Sequence, residues 1–147
     1  MAPIFGPSEK KPLPPPAPIS WVRNRNGNFF KLVTLNAAKA GIAGGGVFVV
    51  WHSGVKPHWV MVGQSDDLAR TIDALRDDME LLEYDARGGL FVSWALIKPE
   101  YRAGIVKYLH DTMEPLLERG GSIDAKVEPI PVLAPGAKGD APGDPTV

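Results

Sequence analysis

The sequence predicts the α/β class, more narrowly an α+β sandwich with two main amphipathic helices on a small mixed sheet. Three observations predict it. Apolar runs of strand length recur at Val47–Trp51, Trp59–Val62 and Leu90–Ile97. Two longer stretches place apolar residues at three- and four-residue steps, the mark of a helix with one buried stripe. Proline-dense segments at both ends bracket this pattern and can form neither helix nor central strand.

The elements follow in order. Residues 1–18 contain Pro3, Pro7, Pro12, Pro14, Pro15, Pro16 and Pro18 and read as an extended polyproline arm. Residues 19–122 read as a single α/β domain. It starts with two strands, Ile19–Arg23 and Phe29–Leu35. Asn26-Gly27 between them tolerates positive φ and predicts an N-terminal hairpin. Asn36 is placed to cap a short helix over Ala37–Ile42, ended by Gly44-Gly45. Two strands follow, joined through Gly54 and Pro57. Ser65 or Asp66 is then expected to cap a helix running to about Glu83, with Leu68, Ile72, Leu75, Met79 and Leu82 as its stripe. Arg87-Gly88-Gly89 interrupts the chain before the nearly all-apolar, central strand Leu90–Ile97. Pro99 opens a second helix with Ile105, Leu109, Met113 and Leu116 on one face, and Pro115 kinks or ends it. Residues 123–147 form a Pro/Gly/Ala-rich tail.

Composition narrows the function classes. In 147 residues, 44% apolar and 22% charged side chains are globular values. A formal net charge of −1 gives no bulk attraction to nucleic acid or an acidic membrane. Up to Gly46, however, Lys10, Lys11, Arg23, Arg25, Lys31 and Lys39 face only one acid, Glu9. The absence of cysteine excludes disulfides, thiolate metal sites and cysteine nucleophiles. No run approaches the length needed to span a bilayer, and Met1–Pro7 has no apolar stretch of signal-sequence type. The expectation is a soluble, cytoplasmic protein without membrane insertion.

Within residues 44–118 the triplets Gly46-Val47-Phe48 and Met61-Val62-Gly63, the turn Gln64–Leu68, strand Leu90–Ile97 and helix Tyr101–Leu117, with Pro115, resemble the core of the GIY-YIG family. Its members are mostly metal-dependent DNA endonucleases. The resemblance implies catalytic tyrosines at Phe48 and Met61, an arginine at Thr71 and a metal-binding glutamate at Val106. None of the four side chains here can do that chemistry. Arg70 is one step short of the arginine position, about 100° away on a helix. Glu118 takes a place where the family often has asparagine. Valine offers no oxygen to a divalent ion, and phosphodiester cleavage depends on metal and charge stabilisation. The resemblance therefore implies a degenerate, non-catalytic member. An alignment shifted by one residue would bring Glu100 or Glu114 into consideration.

Other patterns carry less. His52 and His58 flank one loop, and a two-histidine site with one carboxylate is chemically possible, but His52, His58 and His110 match no tight metal-binding spacing and read as surface histidines; no metal or cofactor is expected. Gly41–Gly46 precedes a strand and lacks the lysine of a phosphate loop, so it reads as a flexible lead-in to the sheet. The acids Asp73, Asp77, Asp78, Glu80 and Glu83 read as a solvated helix face. Trp21, Trp51, Trp59 and Trp94 read as core, although one or two at a sheet edge would serve as partner anchors.

The sequence thus favours a non-catalytic binding or structural subunit of a larger protein assembly. Its proline-rich arms would dock on partners, with Ile4, Phe5, Leu13, Pro14, Pro15 and Pro16 as anchors. The alternative is a nucleic-acid-binding protein or divergent nuclease using Arg23, Arg25, Lys31 and Lys39.

Overall fold

A computed structural model describes residues 13–52, 58–86, 88–117 and 126–136. Four strands, β1 (Phe30–Lys31), β2 (Gly46–His52), β3 (His58–Ser65) and β4 (Leu90–Leu96), form one sheet in the order β1-β4-β2-β3. Every pairing in it is antiparallel, so the sheet is not mixed. Alternation of side chains then sends neighbouring residues of one strand to opposite faces.

One face carries Phe48, Val50, Met61, Val92 and Trp94 under Leu68, Ile72, Leu75 and Leu81. The last four come from helices α1 (Leu68–Arg76) and α2 (Met79–Asp85). The other face carries Val47, Val49, Val62 and Ala95 under Ile105, Val106 and Leu109 of α3 (Pro99–Met113). Burying each such side chain contributes about 1.5–3 kcal/mol, which makes these two layers the main stabilising force. The α+β sandwich is therefore the observed class.

Several elements depart from the sequence expectation. Ile19–Arg23 forms no strand, and the N-terminal hairpin is reduced to its turn. Asn24 donates its backbone N–H to the Asn28 carbonyl at 2.8 Å, Gly27 donates to the Asn24 carbonyl, and Gly27 has φ +79°. Instead of pairing with β1, Val22 donates to the Trp94 carbonyl at 2.9 Å, while Ser93 Oγ donates to the Val22 carbonyl. β4 therefore takes the N-terminal segment along its outer edge. β1 stops after two residues because Leu32–Thr34 closes into a 3-10 turn that buries Leu32.

The helix expected to reach Glu83 breaks at Asp77-Asp78. Asp78 accepts from the backbone N–H groups of Glu80 and Leu81 and so starts a new helix. The break shifts the apolar phase: Leu81 is fully buried, whereas Met79 is 76% exposed. Asp67, rather than Ser65 or Asp66, caps α1 by accepting from the Arg70 N–H. Asn36 does cap its segment, accepting from the Lys39 N–H, but residues 37–41 make a turn that Gly41 ends at φ +70°.

The Gly-rich segment is open at Gly41 and closely packed at Gly45 and Gly46. A Cβ on Gly46 would lie 1.9 Å from the Ala95 carbonyl oxygen, and one on Gly45 would meet both Arg102 and the Ser65 carbonyl oxygen. Gly46 lets β2 approach β4, and Gly45 leaves room for Arg102 and the end of β3, which corrects the reading of a flexible lead-in at these two residues. After α3, Glu114 adopts φ +50° ahead of Pro115. The chain then runs beside β3, with Leu116 and Leu117 donating to the Trp59 and Val60 carbonyls. That contact covers part of an otherwise open sheet edge.

Residues 126–136 belong to the same core. Ile130 donates its N–H to the Gly104 carbonyl at 2.9 Å, Lys107 Nζ donates to the Val127 carbonyl, and Val132 is buried. Ala17 pairs with Val132 in a parallel bridge, giving bonds from Ala17 N–H to the Pro131 carbonyl and from Leu133 N–H to the Ala17 carbonyl. Trp21 Nε1 donates to the Leu133 carbonyl at 2.7 Å.

Candidate interaction surface

The side chains expected at the degenerate catalytic positions do not converge. Phe48 and Met61 are buried on the α1/α2 face of the sheet, and Val106 is buried on the α3 face. Thr71, on α1, hydrogen-bonds through Oγ1 to Ser65 Oγ at 2.6 Å. The sheet itself separates Val106 from the other positions. Glu118 lies outside the described residues. Among the described residues, no group of three or more His, Cys, Asp or Glu is placed to hold a metal ion.

The tryptophans divide. Trp21 and Trp94 are core residues, and Phe30 stacks on Trp94 with ring centroids 5.4 Å apart. Trp51 and Trp59 are only half-buried. They are register partners at the end of the β2/β3 pair, 5.7 Å between ring centroids, and Trp51 also meets Phe29 at 4.9 Å edge-on and Phe91 at 6.0 Å nearly parallel. The Arg23 guanidinium sits 4.3 Å from the Phe29 ring centroid, a cation–π distance. Four aromatic rings and a cation thus form one continuous patch on the α3 face.

The patch exists because of a bulge. β3 places Val60 and Met61 opposite Val50 alone, and both turn into the α1/α2 core. The extra residue resets the alternation, bringing Trp59 opposite Trp51 and His58 opposite His52. The sequence named all four tryptophans as core and allowed for edge anchors; it carries no mark of the bulge that selects these two.

A search against protein-family models, curated proteins and solved structures finds no match.

Of the basic residues, Arg23 is engaged with Phe29 and reaches the Gly27 carbonyl at 3.5 Å through Nη1. Arg25, Lys31 and Lys39 are exposed, on the Asn24–Asn28 turn, β1 and the turn after Asn36 respectively. Of the arm residues, Leu13 is 50% exposed, and Pro14, Pro15 and Pro16 are exposed. Ile4 and Phe5 lie outside the described residues. No helix among the described residues is long and apolar enough to cross a membrane.

His52 departs from the surface reading. It is 8% exposed, with its ring 5.4 Å from that of His58 and stacked on Tyr84 at 6.2 Å and 12°. One polar cluster was not legible in the sequence. Arg102, buried on α3, donates from Nε to the Ile97 carbonyl at 2.8 Å and from Nη1 to Asp66. It ties the ends of β3 and β4 to the start of α3.

Proposed function

We propose that this chain is a non-catalytic binding or structural subunit of a larger protein assembly. It engages its partners through the proline-rich arm and through the aromatic patch of Trp51 and Trp59. The observation that carries this reading is the state of Leu13–Pro16. These apolar residues are exposed, while the residue that follows them, Ala17, is fixed to Val132 and Leu133. Polyproline segments have little backbone entropy left to lose and dock cheaply on aromatic-lined partners. An arm rooted rigidly on its domain transmits that attachment to the whole fold. The GIY-YIG resemblance belongs to the same reading, as that of a degenerate relative with apolar side chains at Phe48, Met61 and Val106.

Removing residues 1–16 while keeping Ala17 tests it. The truncated chain is expected to retain its circular-dichroism spectrum and to lose co-purifying proteins from its native host. Unchanged co-purification defeats the reading.

Nucleic-acid binding is favoured by one observation, the Arg23 guanidinium on Phe29 beside Trp51. A cation next to aromatic faces suits a single strand, whose bases stack and whose phosphates attract arginine. Affinity for single-stranded DNA at two salt concentrations, compared with Arg23→Ala and Arg25→Ala, separates the two. Steep salt dependence lost in both variants supports this second reading.

A further inference from the structure

We propose that His52 and His58 form a binding site for one divalent transition-metal ion of borderline softness, such as Zn²⁺ or Ni²⁺. The two residues are direct cross-strand partners in β2 and β3. Side chains so paired stand about 4.5–5.5 Å apart at Cβ, close enough to share a ligand. The ring centroids are 5.4 Å apart and the planes 44° apart. An imidazole nitrogen bonds zinc at about 2.0–2.1 Å, so two rings on one tetrahedral ion stand roughly 5 Å apart centroid to centroid. The observed separation lets both rings reach one ion.

The surroundings suit capture. His52 is nearly buried and stacked on Tyr84, so its ring has little freedom to lose on binding. His58 is exposed, which leaves a path for the ion. Each imidazole gives one nitrogen to the metal and keeps the other for a hydrogen bond. Two nitrogen donors favour Zn²⁺, Ni²⁺ or Cu²⁺ over Mg²⁺ and Ca²⁺, which prefer oxygen. Water completes the coordination, as in open sites with fewer than four protein ligands. His110 takes no part: α3 packs on the opposite face of the sheet from Tyr84. Sequence spacing hides the site because strand pairing and the bulge at Val60, not the distance along the chain, bring the rings together.

The test titrates the untagged full-length chain with NiCl₂ and ZnCl₂, following heat and the quenching of tryptophan fluorescence by Ni²⁺. Trp51 and Trp59 each neighbour a histidine in sequence and report local binding. The expected result is one saturable ion per chain. His58→Ala is expected to weaken it roughly tenfold or more, a loss that even outer-shell partners can produce. If His52→Ala unfolds, His52→Gln keeps the polar volume and is expected to give the same loss. His110→Ala is expected to bind as the parent does. Absence of saturable binding at millimolar metal, parent-like binding by His58→Ala, or an equal loss in His110→Ala overturns the proposal.

Discussion

Gly104→Ala inverts the usual effect of its substitution type. In a helix interior, replacing glycine by alanine gains about 1 kcal/mol. Gly104 lies inside α3, but a Cβ there would stand 2.6 Å from Ile130 Cδ1, 2.7 Å from Ile130 Cγ1 and 2.7 Å from the Glu128 carbonyl oxygen. The Ile130 side chain can rotate; the Glu128 backbone must move. Overpacking of this kind costs about 1–3 kcal/mol. It also strains the bond from Ile130 N–H to the Gly104 carbonyl, a neutral bond worth about 0.5–1.5 kcal/mol. Against the helix gain, the net expectation is a loss of about 1–2 kcal/mol, or roughly 2–8 °C in Tm for a chain of this size. Urea unfolding followed by tryptophan fluorescence measures it, because Trp21 is bonded to Leu133 in the same tail. Combining Gly104→Ala with Ile130→Ala should cost less than the sum of the single changes by at least about 0.5 kcal/mol, since the two side chains compete for one space. A Gly104→Ala variant as stable as the parent, or more so, refutes the packing of residues 128–130 on α3.

Two further predictions concern stability. Asp78→Ala removes the cap that starts α2 and should cost about 1 kcal/mol by urea unfolding; no change would mean that the helix break does not depend on that carboxylate. Arg102→Met should destabilise more than Asp66→Asn. The Asp66 side chain is 96% exposed, so screening limits its share of the ion pair to under about 1 kcal/mol. Losing Arg102 strands the Ile97 carbonyl in a part-buried position, at about 1–3 kcal/mol; the opposite order of midpoints contradicts this.

The strands β2, β3 and β4 and the helix α3 were legible because their patterns are set by burial, which the sequence shows directly. The rest depended on side-chain chemistry that admits two readings. Asp77 and Asp78 read as a solvated helix face, but Asp78 starts a new helix, which moved Met79 out of the core and Leu81 into it. Asn26-Gly27 marked a turn, yet its flanks were claimed by β4 and by the 3-10 turn at Leu32. The prolines at 129 and 131 excluded helix, but an extended segment can still fill a groove, and Gly104 leaves that groove open. The candidate surface was half visible: the tryptophans stood out as a residue type, whereas the bulge that pairs Trp51 with Trp59 has no sequence signature.

The bridge between Ala17 and Val132 runs parallel, and this fixes how tension would travel through the molecule. Pulling Leu13 toward the beginning of the chain and Gly136 toward its end draws the two backbones past one another in opposite senses. The bonds from Ala17 to Pro131 and from Leu133 to Ala17 then bear load together, in shear, instead of unzipping in sequence. A neighbour held at each end would find the sheet shielded from that force and the domain acting as a tie.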